Sequence, residues 1–110
     1  MERLDQLMSF LNENPNDSFL QYAIALEHIK KGEPEKGLIY FENLLKHDPD
    51  YVGTYYHLAK LYLKLGMKPE AIACYENGMG VATKLSDFHA LAELKNAYTN
   101  LQLGIEEDDE

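Results

Sequence analysis

The thiol and imidazole side chains, which act as nucleophiles, general bases or metal ligands, are few in this chain and far apart. They are one cysteine, Cys74, and four histidines, His28, His47, His57 and His89. Two metal ligands on one face of a helix need a short spacing such as His-x3-His, and no pair of these residues has one. No histidine or basic residue lies within one helical turn of the cysteine to lower the pKa of its thiol. We therefore predict no metal site, no catalytic residue and no cofactor.

Neighbouring carboxylates and glycines supply no other chemistry. Glu106 and Glu107 are adjacent, but they lie in a terminal acidic segment that cannot hold the fixed geometry of general acid-base catalysis. Gly78-x-Gly80 is not a phosphate-binding loop, because a predicted helix rather than a strand precedes it.

The charge of the chain excludes one class of partner. The formal net charge is −9, and the last five residues, 106–110, are all acidic. The ten Lys and Arg residues are scattered over every helix and form no basic patch that would bind phosphates, so we predict no nucleic-acid partner. We expect residues 105–110 to be a solvated, disordered end that aids solubility.

No segment indicates membrane association or secretion. The chain lacks an apolar stretch near the ~20 residues that a membrane span requires, and its first residues lack the basic-then-apolar order of a signal peptide. The lone Cys74 permits a reducing compartment. We expect a cytoplasmic protein with no membrane partner.

The sequence repeats itself with a period of 34 residues. Shifting it by that distance lays Ser18–Tyr51 on Val52–Leu85. This period is typical of helix-turn-helix solenoids, in which each repeat packs on its neighbours. The identical pairs are Tyr22/Tyr56, Ala25/Ala59, Lys30/Lys64, Gly32/Gly66, Glu42/Glu76 and Asn43/Asn77.

Prolines and glycines divide the chain into six predicted helices. Pro34 and Pro69 fit the first turn of a helix, where the missing N–H removes no intrahelical hydrogen bond. Gly32 and Gly66 fit the ends of the preceding helices. The predicted helices lie near residues 2–14, 18–31, 34–47, 52–65, 69–84 and 86–102.

Helix caps and internal glycines give further expectations. Ser18 and Ser86 are predicted N-caps, the first in a capping box with Gln21. Gly78 and Gly80 lie inside the fifth helix, and each should weaken it by about 1 kcal/mol relative to alanine. Gly78 stands where the preceding repeat has a leucine, which predicts a close contact between helices.

The repeated residues match a known helix-hairpin signature, which runs W-x2-L-G-x2-Y, then A-x3-F, and then P. With two copies in register, the chain resembles the tetratricopeptide repeat family. Thr83 departs from the pattern, because it replaces the final proline of the second copy. The matching segments are Gln21-x2-Ile24-Ala25-x2-His28, Gly37-x3-Phe41 and Pro49 in the first copy, and Tyr55-x2-Leu58-Ala59-x2-Tyr62 and Ala71-x3-Tyr75 in the second.

The resemblance implies an all-α fold, a right-handed solenoid of antiparallel helix hairpins. Small residues in the family, here Ala25 and Gly37 in the first copy and Ala59 and Ala71 in the second, let paired helices approach closely. In this frame residues 1–104 form a single domain, with a half repeat at 2–17, repeats at 18–51 and 52–85, and a capping helix at 86–102.

The resemblance also implies a non-catalytic protein-interaction function. In tetratricopeptide arrays the first helices of successive repeats line a concave groove that holds an extended peptide or a partner helix. Aromatic and lysine side chains on those helices suit an acidic or C-terminal peptide. The predicted groove residues are Phe19, Tyr22, Leu26, Lys30, Tyr56, Lys60, Leu63, Lys64, Ala90 and Leu94.

Two other interpretations of these residues are open. Tyr22 and Tyr56 serve packing between repeats as readily as binding, in which case the lysines are a solvated face. The terminal helices leave apolar surface without a neighbour, so that two copies could associate end to end, and a self-association unit is the alternative function. We expect caps and a monomer, because polar residues cover both terminal helices.

One ligand of the family is not expected here. Members that bind chaperone tails hold the terminal carboxylate with lysine, asparagine and arginine side chains on successive first helices. The corresponding positions of this chain carry other residues, among them Tyr22, His57 and Asp87.

Overall fold

The computed structural model describes residues 2–105, and every regular element in this range is an α-helix. The six helices begin and end within two residues of the predicted bounds, which confirms the all-α helical repeat. None of the helices in this range has the length and apolar character needed to span a membrane. The helices are α1 (Arg3–Glu13), α2 (Ser18–Lys30), α3 (Pro34–His47), α4 (Gly53–Lys64), α5 (Lys68–Lys84) and α6 (Phe88–Leu103).

The contacts divide the chain into two compact units, the first ending at Thr54 and the second beginning at Tyr55. In the first unit α2 packs against both α1 and α3. In the second unit α5 packs against α6 and contacts α4 through Tyr55. The single domain over residues 1–104 stays a prediction, and residues 106–110 of the predicted tail lie outside the described residues.

The core of the first unit lies on both sides of α2, against α1 and against α3. Ile24, Ala25 and Phe41 are completely buried, each with 0% of its surface exposed. A Cβ atom on Gly37 would lie 2.7 Å from Cγ1 of Ile29 and 3.0 Å from the carbonyl oxygen of Ala25, so only glycine fits this crossing. The prediction that small residues allow close pairing is confirmed for this hairpin.

The second unit has small residues at the same repeat positions. Ala59 and Ala71 are completely buried, as is the aromatic ring of Tyr75. A Cβ atom on Gly78 would lie 2.6 Å from Cβ of Tyr55, closer than two carbon atoms can pack. The predicted close contact between helices at Gly78 is therefore confirmed.

Two glycines end the first helices of the two repeats. Gly32 and Gly66 have left-handed backbones, with φ of +80° and +77°. The N–H of Glu33, which follows Gly32, donates to the carbonyl oxygen of His28 over 2.8 Å. The N–H of Met67, which follows Gly66, donates in the same way to the carbonyl oxygen of Tyr62. This arrangement pairs carbonyls that a helix end would otherwise leave exposed, and it confirms the predicted role of both glycines.

The predicted N-cap of α2 was wrong by one residue. Asp17 caps the helix, since its carboxylate accepts a hydrogen bond from the N–H of Leu20 over 3.0 Å. Ser18 is the first helical residue and donates its hydroxyl proton to Asp48. The side-chain amide of Gln21 donates to a loop carbonyl, so no capping box forms. Aspartate and serine are about equally good N-caps, so only the path of the turn decides between them.

The start of α6 differs from the prediction in the same way. Asp87 is the N-cap and accepts from the N–H of Ala90 over 3.0 Å. Ser86 has a left-handed backbone, with φ of +56°. α5 ends at Lys84, as predicted, so the difference lies in the turn between the two helices.

Candidate functional site

The predicted groove residues on α2 differ in how much surface they present. Phe19 is 56% exposed and Lys30 is exposed, whereas Tyr22 and Leu26 are half-buried. Contact between an exposed phenyl ring and water is unfavourable, so a partner that buries the ring gains binding free energy. Phe19 and Lys30 are therefore the accessible part of this face.

Tyr22 packs inside the first unit. Its ring centroid lies 6.1 Å from that of Phe41 and 5.6 Å from that of Tyr51, both at tilted angles. Such tilted pairs stabilise a core beyond the area that they bury. This geometry supports the packing interpretation for Tyr22.

On α4 a lysine and a tyrosine are in direct contact. Nζ of Lys60 lies 5.5 Å from the centroid of the Tyr56 ring, within range of a cation–π interaction. The imidazole of His57 meets the edge of the same ring, with centroids 5.5 Å apart at 90°. Lys64 is exposed one turn beyond, and Leu63 is half-buried. The face thus combines an ordered ammonium group, a second lysine and an aromatic surface.

The positive charge of this face comes from its lysines. Burial lowers the pKa of His57, while the negative charge of Glu93 raises it and the positive charge of Lys60 lowers it. A pKa below the usual 6.5 leaves the imidazole mostly neutral at pH 7.

On α6 the structure corrects one prediction. Leu94 is only 1% exposed, and its Cδ1 atom lies close to Gly78 of α5. The side chain belongs to the core of the second unit, so it has no surface to offer a partner. Ala90 is half-buried, and its N–H is bound by the cap Asp87.

The predicted residues therefore fall into two sets. The four residues on α2 belong to the first unit, and those on α4 and α6 belong to the second. Within the second set, Tyr56 and Lys60 are in contact, whereas Leu94 is turned into the core. Each set is a separate candidate surface.

The other histidine with a clear role is structural. His28 is 6% exposed, its Nδ1 lies 3.0 Å from Oε1 of Glu33, and its ring stacks on Tyr40 with centroids 5.6 Å apart. The hydrogen bond to His28, followed by that from Lys36, lowers the pKa of Glu33. His28 therefore packs and hydrogen-bonds inside the first unit and offers no surface to a partner.

The cysteine is a core residue. Burial raises the pKa of the Cys74 thiol to about 12, and its Sγ donates to the carbonyl oxygen of Tyr55 over 3.4 Å. A thiol with this pKa is a poor nucleophile at neutral pH. Among residues 2–105, no three His, Cys, Asp or Glu side chains come close enough together to bind a metal ion.

Sequence reasoning did not assign a site role to two large exposed aromatic residues. Phe10 on α1 is 55% exposed and Phe88 on α6 is 69% exposed. Phe10 stands one repeat period before Leu44, which is 0% exposed. The repeat period could have revealed the exposure of Phe10. A repeat position that is buried inside a hairpin becomes exposed on a terminal helix such as α1, which packs against α2.

Comparison with known proteins identifies the repeat. A family model of the tetratricopeptide repeat matches residues 28–99. A crystal structure of a tetratricopeptide repeat domain protein from Salinibacter ruber is 43% identical, covers 82% of this chain and 99% of that chain, and superposes with a TM-score of 0.76. A solution structure of a tetratricopeptide repeat domain protein from the same organism is 42% identical, covers 87% of this chain and 96% of that chain, and has a TM-score of 0.78.

A more distant protein shares the fold. A solution structure of a protein from Bordetella parapertussis has a TM-score of 0.81 over 94% of this chain and 90% of that chain, at 18% identity. The comparison with curated proteins found no match. The family match and the identity to the Salinibacter ruber protein show that this chain belongs to the tetratricopeptide repeat family.

Proposed function

We propose that this chain is a non-catalytic interaction module that binds an acidic peptide or the acidic face of a partner helix. Tetratricopeptide repeats in general bind proteins or peptides. The proposal gives the ligand two separate candidate surfaces, one on α2 and one on α4, and removes Leu94 from the predicted set. A cytoplasmic location and the lack of nucleic-acid and membrane partners remain predictions from composition.

The contact between Tyr56 and Lys60 is the observation that carries the proposal. The ring holds the ammonium group near its face, so less conformational entropy is lost when a ligand carboxylate binds it. Lys64 adds a second positive charge one turn away. On α2, Phe19 and Lys30 are also exposed, but they lie about 16 Å apart along the helix. A peptide with carboxylates beside apolar groups matches the surface on α4.

Reversing the charge of both α4 lysines should abolish most of this binding. In the variant Lys60→Glu/Lys64→Glu, attraction for a carboxylate becomes repulsion, so we expect Kd to rise by more than about tenfold at low salt. The probe is a fluorescein-labelled hexaglutamate peptide, followed by anisotropy. Circular dichroism should show unchanged helicity, because neither lysine is buried.

The matched control is Lys46→Glu/Lys84→Glu, which changes the net charge equally but places both changes on second helices, α3 and α5. We expect this control to weaken binding much less. Equal losses in the two double variants would indicate a general effect of net charge. Unchanged affinity in the α4 variant would reject this surface.

Self-association is the second candidate function, and the exposed ring of Phe88 favours it. The polar residues of α6 oppose it. Glu93 and Asn96 are exposed at the positions where α4 carries Ala59 and Tyr62 one period earlier. In a longer array, these positions would pack against a following helix. Polar side chains there are typical of a capping helix, which repeat arrays need for solubility.

We therefore expect the protein to be monomeric from low micromolar concentration upward, as measured by size-exclusion chromatography with light scattering. A dimer that persists at low micromolar concentration and dissociates in Phe88→Glu would instead establish self-association. Ile39→Glu, at a residue 57% exposed on α3, is the control for the added charge. Leu94→Glu is unsuitable because this buried side chain supports the core.

A further inference from the structure

Three lysines follow one another across the hairpin of the second unit. Lys60 and Lys64 are one turn apart on α4, and Lys68 is the first residue of α5. Lys64 and Lys68 are exposed and are separated by only the short turn between the helices. We call Lys60, Lys64 and Lys68 the lysine strip. Its nearest acidic neighbour along the chain is Glu70, in the first turn of α5.

The end of α6 lies beside the end of the hairpin that carries this strip. Leu94 of α6 contacts Gly78 of α5, and the hydroxyl of Tyr98 donates to Oε2 of Glu76 over 2.8 Å. Residue numbers rise on α6 as they fall on α5, so the two helices are antiparallel. From this hydrogen bond α6 continues for five residues to Leu103, and α5 runs back eight residues from Glu76 to Lys68, so α6 ends near the first turns of α5.

The chain that follows α6 is strongly acidic. Gly104 ends the helix with a φ of +74°, and the N–H of Ile105 donates to the carbonyl oxygen of Asn100 over 2.9 Å. The next five residues, 106–110, are Glu-Glu-Asp-Asp-Glu. Five extended residues span about 17 Å at most, which is enough to pass over neighbouring turns of two helices.

We propose that residues 106–110 act as an internal acidic ligand of the lysine strip and compete there with an external acidic peptide. The inference rests on the proposed function, since it names a regulator of the same α4 surface. Charge complementarity and the start of the segment near the first turns of α5 select this occupant. A directly linked segment has an effective concentration on the order of millimolar, so weak pairing suffices to reduce the affinity for an external ligand. Because the pairing is between exposed charges, added salt weakens it.

The test compares the full chain with a full-length variant in which the acidic segment is neutral. The variant carries Glu106→Gln, Glu107→Gln, Asp108→Asn, Asp109→Asn and Glu110→Gln. We expect it to bind the hexaglutamate probe about threefold to tenfold more tightly at low salt, the scale of two or three exposed ion pairs. The difference should disappear at high salt.

A matched control removes five negative charges from the first unit, through Asp5→Asn, Glu13→Gln, Glu35→Gln, Glu42→Gln and Asp50→Asn. If the gain in affinity reports only a change in net charge, this control will show the same gain and the inference fails. If the segment occupies the strip, the gain will be confined to the neutral-segment variant and lost when Lys64→Gln/Lys68→Gln is added.

A readout without any probe separates the inference from the proposed function. Backbone amide shifts of Lys64 and Lys68, measured by NMR at low salt, should change in the neutral-segment variant, whereas those around Lys84 at the far end of α5 should not. Shift changes without probe binding would support the inference and reject the proposed function. Probe binding with equal affinity in both proteins and unchanged shifts would overturn the inference and leave the proposed function standing.

Discussion

Replacing Phe41 with alanine should destabilise the protein by about 3–5 kcal/mol, the usual cost of removing a buried aromatic ring. Phe41 is 0% exposed, and its ring packs against Tyr22 in the gap that the small residues Ala25 and Gly37 open between α2 and α3. Because small domains are stable by about 5–15 kcal/mol, a large part of the folding free energy would be lost. Urea unfolding followed by far-ultraviolet circular dichroism measures the change.

Phe19→Ala is the matched control, since it removes the same ring from a residue of the first unit that is 56% exposed. We expect a change within about 0.5 kcal/mol, as for most surface substitutions. If Phe41→Ala cost no more than Phe19→Ala, the assignment of Phe41 to the gap of the first hairpin would be wrong.

The register of the helices could be predicted from the sequence because each structural position occurs twice, once in each repeat. Gly32 and Gly66, one period apart, both have a left-handed backbone and both end a helix. Ala25 and Ala59 are both 0% exposed. A pattern that would be weak in one copy becomes specific when a second copy obeys the same steric requirement.

The caps could not be predicted in the same way, because the competing residues are chemically alike. At α2 and α6, an aspartate and a serine stand next to each other, and either side chain can accept from a free N–H of the first turn. The choice depends on the turn before the helix. At α6, Ser86 has a left-handed backbone, and the helix is capped by Asp87.

The candidate site was only partly predictable. Helical spacing predicts which residues share a face of a helix, but it does not predict which other helices bury that face. On α4, helical spacing grouped Tyr56 and Lys60, and these two side chains are in contact, while their role in binding stays a prediction. On the last helix the same rule chose Leu94, which α5 covers. On α2 it grouped Tyr22 with Phe19, although aromatic neighbours pack around Tyr22 and leave Phe19 exposed.

The two glycines inside α5 should respond to alanine in opposite directions. A Cβ atom on Gly78 would lie 2.6 Å from Cβ and 2.9 Å from Cγ of Tyr55, atoms near the backbone that cannot swing away. Overpacking of this kind costs about 1–3 kcal/mol, and the better helix propensity of alanine offsets about 1 kcal/mol of it. We expect Gly78→Ala to lower the free energy of unfolding by up to about 2 kcal/mol.

Gly80 lies two residues further along the same helix, with open space where a Cβ atom would stand. Gly80→Ala therefore gains the helix propensity without a clash and should raise the free energy of unfolding by about 1 kcal/mol. The two variants have the same composition and the same intrinsic helix propensity, so the difference between their urea midpoints isolates the contact with Tyr55. If both variants were stabilised equally, α4 and α5 would have to cross further apart than the structure places them, and the close pairing that defines the second hairpin would be incorrect.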